Sequence, residues 1–100
     1  MPGFTLTQQA LADLKEIGRY TQKEWGRQQR GIYLTMLDTC FQQLADDPLK
    51  GKDCSEIRIG YRKRVAGSHI IFYRKVSEGA VEIVRILHGS MDVTARISEP

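Results

Sequence analysis

The feature that most constrains the fold is the stretch from residue 60 to residue 93, where two turn signals separate three runs of β-branched and aromatic residues. The turns are marked by Gly67-Ser68 and by Ser77-Glu78-Gly79. Short apolar runs bounded by glycine and serine are typical of antiparallel strands joined by hairpins. The sequence therefore predicts three consecutive antiparallel strands in the C-terminal half.

The N-terminal half predicts two helices joined by a very short connection. Apolar residues recur at helical spacing over residues 8–25, after the candidate N-cap Thr7, and Gly26 ends the pattern. A second helical pattern covers about residues 28–45 and stops before Pro48, because proline disfavours helical geometry in the residue that precedes it. Similar lengths and a short connector favour an antiparallel helical hairpin.

With a short extended start at residues 4–6, these elements predict an α+β fold of order β-α-α-β-β-β. The helical hairpin would pack on one face of a mostly antiparallel sheet, and a length of 100 residues suits a single domain over residues 1–100. No leading stretch resembles a signal peptide and no apolar run could span a bilayer, so a soluble, cytoplasmic protein is expected. Cys40 and Cys54 have neither metal nor redox spacing, and no cofactor or metal is expected.

The excess of positive charge belongs to the predicted sheet. Residues 51–100 hold nine Lys or Arg and six Asp or Glu, whereas residues 1–50 hold six of each. The resulting net charge of +3 suits an acidic protein partner and an RNA about equally.

The turns also predict the register of the three strands. A two-residue turn at 67–68 places Val65 opposite Ile70. A three-residue loop at 77–79 places Phe72 opposite Val84 and Ile71 opposite Arg85. Because side chains alternate across a strand, this register sorts the sheet into two unlike faces.

One face is apolar and is predicted to lie beneath the helices: Ile59, Tyr61, Val65, Ile70, Phe72, Val84 and Ile86. The other has an apolar centre and a cationic margin: Arg62, Arg64, Ile71, Tyr73, Lys75, Ile83, Arg85 and Leu87. One helical layer can cover only one face of a sheet. The second face is therefore predicted to be left exposed by the helices and to be shielded by the C-terminal tail, by a partner, or by both.

Two segments of the chain carry a family resemblance. The segments Y-R-K-R-V-A-G-S-H-I-I-F-Y-R and V-E-I-V-R-I-L-H-G-S-M-D-V resemble the ParE toxins of the RelE/ParE superfamily, and the likeness covers essentially the whole chain. Gln8 stands where members often have proline. Ser90 stands where a basic or longer polar side chain is common, a difference that bears on contacts with the target.

The resemblance implies the toxin half of a bacterial type II toxin–antitoxin pair, of the kind associated with plasmid stabilisation. Such toxins poison DNA gyrase without catalysis of their own, and a ParD-like antitoxin holds them inactive in a hetero-oligomer. The antitoxin carries the DNA-binding function, so neither direct DNA binding nor membrane association is expected of this chain.

Candidate binding residues follow from the predicted exposed face and from the resemblance. The antitoxin-binding candidates are Arg62, Arg64, Ile71, Tyr73, Arg85 and Leu87. The gyrase-binding candidates, which rest on the resemblance, are His88, Ser90, Met91, Asp92 and Val93. No catalytic residue is predicted.

Two alternatives stay open. A RelE-type ribosome-dependent mRNA endoribonuclease would need a cationic clamp and a proton-transfer group. Arg62, Arg64 and Arg85 would provide the clamp, and His69 is the base candidate on the predicted exposed face. A degenerate, non-toxic member would survive as an antitoxin-binding module. His69 and His88 are expected to be structural residues at strand ends, and Trp25 is expected to pack in the core or at the edge of the hairpin.

Overall fold

The computed structural model describes residues 3–90 and has two helices and five strands. These elements are β1 (Phe4–Leu6), α1 (Gln8–Trp25), α2 (Arg27–Asp46), β2 (Lys52–Asp53), β3 (Tyr61–Ala66), β4 (His69–Ser77) and β5 (Ala80–His88). The sheet order is β1-β5-β4-β3-β2, with β1 parallel to β5 and every other pair antiparallel. The predicted α+β fold and element order are confirmed, with β2 as an addition inside a segment predicted to be a loop. Neither helix is long and apolar enough to cross a membrane.

Local signals place the helix ends where the sequence predicts them. The Thr7 hydroxyl accepts a hydrogen bond from the Ala10 backbone N–H at 3.0 Å and donates one to the Val84 carbonyl at 2.8 Å. Thr7 therefore caps α1 and ties its start to β5. Gly26, with φ of 94°, ends α1 in a backbone conformation that favours glycine and allows α2 to begin at once.

The register of the strands agrees with the prediction in the first hairpin and departs from it in the second. Val65 pairs with Ile70, as the two-residue turn predicts. Between β4 and β5, Tyr73 pairs with Ile83. The register shifts between Tyr73 and Phe72, so that Phe72 pairs with Arg85 and not with Val84. Val84 is the extra residue of a β-bulge, and every β5 side chain beyond it changes face relative to the prediction.

The helices cover the face of the sheet that was predicted to be exposed. Ile71 and Tyr73 are fully buried in one cluster with Leu37 and Phe41 of α2. Val65, which was predicted to lie beneath the helices, is 70% exposed. The assignment of the two faces was therefore wrong, although the division into two faces was right for β3 and β4.

The face opposite the helices is also partly apolar. Phe72 and Leu87 are buried there with Cys54, and Ile57 and Tyr61 pack against them. A turn that follows β2 thus covers part of the second face, so both sides of β4 are buried. A central strand that is buried on both faces lacks the alternation of apolar and polar residues that would show which face lies against the helices.

Candidate functional site

The six predicted antitoxin residues do not form one exposed face. Ile71 and Tyr73 lie beneath the helices, and Leu87 is buried on the opposite side. For these three residues the predicted exposure is wrong. The physical reason is the same for all of them: a large apolar side chain in the middle of a sheet with layers on both faces is removed from water.

Arg62 and Tyr73 hold the loop between α2 and β2 against the sheet. The Tyr73 hydroxyl donates to the Pro48 carbonyl at 2.9 Å and accepts from the Gly51 backbone N–H at 2.8 Å. Arg62 Nε donates to the Gly51 carbonyl at 3.0 Å, and its Nη2 donates to the Leu49 carbonyl at 3.3 Å. Burial raises the pKa of the Tyr73 hydroxyl, which keeps it neutral and able to donate. This pair is structural.

Arg85 joins the last strand to the first helix. Its Nε and Nη2 donate to the two carboxylate oxygens of Asp13 at 2.8 and 2.9 Å, and the same carboxylate accepts the Ile86 backbone N–H at 3.0 Å. The two side chains are 16% and 15% exposed. A bidentate pair that also takes a backbone N–H fixes α1 along β5. Arg85 lies apart from Arg62 and Arg64, because β4 separates β5 from β3.

Arg64 lies half-buried on β3, and its Nη1 is buried without a hydrogen-bond partner in the part of the chain that the structure describes. Buried guanidinium nitrogens normally donate to an acceptor. Beside it, β2 pairs only with Arg62 and Lys63 of β3. Within residues 3–90, no strand lies beside Arg64–Ala66 on the side away from β4. We call this segment the open edge of β3.

The gyrase candidates are described in part. His88 and Ser90 are exposed at the end of β5, where the His88 Nδ1 lies 2.7 Å from the Ser90 hydroxyl and 3.2 Å from its backbone nitrogen. Met91, Asp92 and Val93 lie outside the described residues. His88 and Ser90 thus form a small exposed turn whose side chains are held by each other.

Two histidines meet at the same end of the sheet. The rings of His69 and His88 are 5.4 Å apart in an edge-to-face arrangement, and the His69 Nδ1 lies 2.6 Å from the Tyr33 hydroxyl of α2. The Tyr33 hydroxyl also accepts the Ser68 backbone N–H at 3.0 Å. Burial is the main cause that lowers the pKa of His69, and the neighbouring His88 lowers it further. The neutral form of His69 is therefore favoured.

These residues line an open space of about 570 Å³, which we call the hairpin-end cleft: Tyr20, Thr21, Trp25, Gln29, Tyr33, Ser68, His69 and His88. Trp25 is 72% exposed and Tyr20 is 62% exposed, so Trp25 does not pack in the core; of the two placements expected for it, only the edge of the hairpin remains. Helical spacing placed Trp25 on the apolar stripe, but Trp25 is the last residue of α1 and its ring is left exposed. The position next to Gly26, at the end of the helix, was the signal that could have predicted exposure.

A metal centre is not apparent in the described segment. No group of three or more His, Cys, Asp or Glu side chains that could hold a metal ion occurs within residues 3–90. Cys40 and Cys54 are both buried as free thiols, and burial is the main cause that raises the pKa of Cys54. A buried thiol of raised pKa is a poor nucleophile.

Comparison with known proteins shows the family. The family model described as "ParE toxin of type II toxin-antitoxin system, parDE" matches residues 4–93. A protein named Toxin ParE1 of Mycobacterium tuberculosis is 44% identical over 90 residues, which cover 90% of this chain and 92% of that protein. Toxin ParE1 of Caulobacter vibrioides is 36% identical over 97 residues, covering 97% and 99% of the two chains. This chain belongs to the ParE toxin family, as its sequence motifs indicate.

A solved structure supports the fold. A chain from the structure titled "Chromosomal ParDE TA system from P. aeruginosa" superposes with a TM-score of 0.73 over 88% of this chain and 96% of its own length. At 18% identity this likeness shows a common architecture, that is, two helices on a five-stranded sheet.

Proposed function

We propose that this chain is the toxin of a type II toxin–antitoxin pair, that it acts in the cytoplasm by binding and poisoning DNA gyrase, and that a ParD-like antitoxin silences it. The observation that carries the proposal is the ParE family match, which spans the described fold from β1 to the end of β5. Relatives over nearly the full length are named toxins, and the structural neighbour comes from a ParDE system. The mechanism needs a binding surface rather than a catalytic centre.

The gyrase contact is proposed at the end of β5, where His88 and Ser90 form the exposed turn, with Met91, Asp92 and Val93 following in the chain. A contact of this kind would hold gyrase in the state in which DNA is cut. No residue of the toxin has to touch the DNA for that to happen.

The first test measures supercoiling of a relaxed plasmid by purified gyrase with the full-length toxin. We expect inhibition with accumulation of cleaved plasmid, because a poison traps the cut state. The double change His88→Ala and Ser90→Ala should restore supercoiling, whereas Glu78→Gln, in the exposed β4–β5 turn, should inhibit like the unchanged toxin. Normal supercoiling with the unchanged toxin would contradict the proposal. Unimpaired growth on expression without antitoxin would then favour a non-toxic binding module.

The RelE-type alternative has one structural observation in its favour, the contact between His69 and His88. However, two arginines of the predicted clamp are engaged elsewhere. Arg62 donates to the Gly51 carbonyl, and Arg85 is paired with Asp13. Site-specific cutting of mRNA in a translating extract, with normal gyrase activity, would favour this alternative over gyrase poisoning.

The antitoxin site is proposed at the open edge of β3. An exposed strand edge offers backbone groups to which an extended partner segment can add as a further strand. Val65, exposed on this edge, offers an apolar contact, and the buried Nη1 of Arg64 offers a donor to an acidic side chain. Of the sequence-based candidates this site retains Arg64, whereas Arg62 is bound to the loop that follows α2 and the apolar candidates are buried.

The second test measures the affinity of the toxin for the antitoxin encoded beside its gene. Arg64→Gln should weaken binding by about 2 kcal/mol, roughly thirtyfold, because it removes a charged partner from a partly desolvated pair. Arg58→Gln removes the same charge from the exposed loop before β3 and should leave the affinity within about twofold. Equal affinities for the two variants would show that the antitoxin binds elsewhere.

A further inference from the structure

We infer that the hairpin-end cleft, together with the helix ends that border it, binds single-stranded nucleic acid. This inference does not depend on gyrase poisoning. It departs from the expectation, implied by the family resemblance, that the chain does not bind DNA directly.

The first observation is a pair of exposed aromatic rings. Trp25 and Tyr20 lie on the last two turns of α1 and expose 72% and 62% of their surface. An exposed tryptophan is uncommon on a small protein, because burying its ring is strongly favourable. Rings presented in this way can stack on unpaired bases, and base–aromatic stacking tolerates any base because every base has a π-face.

The second observation is the charge of the hairpin tip, residues 19–30. This segment holds Arg19, Lys23, Arg27 and Arg30 against Glu24, a net charge of +3, which equals that of the whole chain. All five side chains are exposed. Arg19 is also paired with Glu16, an ion pair at the protein surface. Competition from phosphate can break an exposed pair at little cost. The cations do not line the cleft itself, since Arg19, Lys23 and Arg30 border the neighbouring groove between the two helices. At that position they can meet the phosphates of a strand whose bases stack on the rings.

The third observation is the chemistry of the cleft. Among the described residues its lining holds no aliphatic side chain; it consists of aromatic, imidazole, hydroxyl and amide groups. Gln29 provides amide groups and His88 an exposed imidazole for the edges of a base, while Tyr33 and His69 are fixed by their mutual hydrogen bond. The volume of about 570 Å³ lies in the range of roughly 300–1,000 Å³ that small-molecule sites occupy.

These features favour one occupant over two others. An acidic amphipathic helix would place its apolar face on aliphatic side chains, and these lie in the adjoining space beside Ile17, Ile86 and Leu87 rather than in the lining of the cleft. A duplex would meet the cations, but its bases are stacked inside and cannot reach Trp25 or Tyr20. A single strand can place its phosphates against the cations and stack its bases on the rings.

The test uses Trp25 itself, because it is the only tryptophan in the sequence. The full-length toxin is titrated with oligothymidylate and oligouridylate of about 15 nucleotides, and with a duplex of the same length, while tryptophan emission is recorded. We expect saturable quenching by both single strands and little by the duplex. With three or four phosphates neutralised, affinity should fall about 20- to 50-fold between about 50 and about 200 mM salt. A preference of more than about tenfold for the RNA strand would assign a contact to the 2′-hydroxyl.

Matched variants separate a site from diffuse attraction, with binding measured by the anisotropy of a labelled strand. Trp25→Leu should weaken binding about 5- to 150-fold, the effect of losing one stacked base. Lys23→Gln with Arg27→Gln should lower both the affinity and the salt dependence. Lys50→Gln with Lys52→Gln removes the same charge from the loop and strand at the edge of the sheet and should lower the affinity far less.

Three outcomes would overturn the inference. One is the absence of both quenching and anisotropy change for either strand at low salt. A second is an equal loss of binding in the two paired-charge variants, which would show non-specific attraction. A third is quenching by an acidic helical peptide but not by oligonucleotides, which would identify the cleft as a protein-docking surface. Because the variants at Trp25, Lys23 and Arg27 change exposed side chains, far-UV circular dichroism should show an intact fold.

Discussion

Replacing Ile71 by aspartate is expected to unfold the protein. Ile71 is fully buried in the cluster formed by the helices and the sheet, with Leu37 and Phe41 of α2 among its members. A carboxylate at this position would be desolvated without a partner, so it must either remain charged at a high cost or bind a proton. Losses of about 4–5 kcal/mol or more arise from such changes and approach the whole stability of a small protein, about 5–15 kcal/mol.

The matched control is Val65→Asp on the neighbouring strand. Val65 is exposed on the side of β3 that faces away from the helices, so its carboxylate would remain in water. We expect a cost of about 1 kcal/mol, which reflects the low strand preference of aspartate. Urea unfolding followed by far-UV circular dichroism measures both variants. If Val65→Asp were the more damaging change, the face assignment of the structure would be wrong and that of the sequence analysis right.

The sequence predicts the elements well because the signals at their ends are local. Thr7 caps α1 with its own side chain, and Gly26 takes a positive φ that favours glycine. The turn at Gly67-Ser68 sets the register of β3 and β4 without help from the rest of the chain. Each of these features depends on a few neighbouring residues.

The choice of face failed because it depends on contacts that are distant in the sequence. The two faces of β4 are similarly apolar, and the turn at Cys54–Ile57 covers one of them while the helices cover the other. The arginines suggested an exposed face. However, Arg62 keeps its charged end at a strand edge, bound to carbonyls of the loop that follows α2. Long cationic side chains can lie beside a buried layer in this way, so they do not mark an open face.

The bulge at Val84 and the role of Asp13 were equally inaccessible to pattern analysis. One extra residue in β5 moves Arg85 to a different partner, and nothing in the run from Ala80 to His88 marks where the extra residue lies. Asp13 falls on a polar position of the α1 pattern, which predicts a solvated side chain. Its partners lie more than 70 residues further along the chain.

Asp13→Ala is expected to destabilise the protein by about 3 kcal/mol. The change removes the bidentate acceptor of Arg85 and leaves the Ile86 backbone N–H without the carboxylate that it donates to. Both side chains of the pair are largely shielded from water, and removal of one partner from such a pair typically costs about 3–5 kcal/mol. Because some water reaches the pair, the lower end of that range is expected. Asp13→Asn keeps a hydrogen-bond acceptor but loses the charge, so its stability should lie between that of Asp13→Ala and that of the unchanged protein.

Glu16→Ala is the control, because Glu16 lies one turn further along α1 and also pairs with an arginine, Arg19, but at the surface. The surface pair should contribute no more than about 0.5 kcal/mol to the free energy of unfolding, and this contribution should disappear at high salt. The effect of Asp13→Ala should persist at high salt. Urea unfolding at low and high salt compares the two variants directly. Equal and small effects would mean that α1 is held on β5 by apolar packing alone.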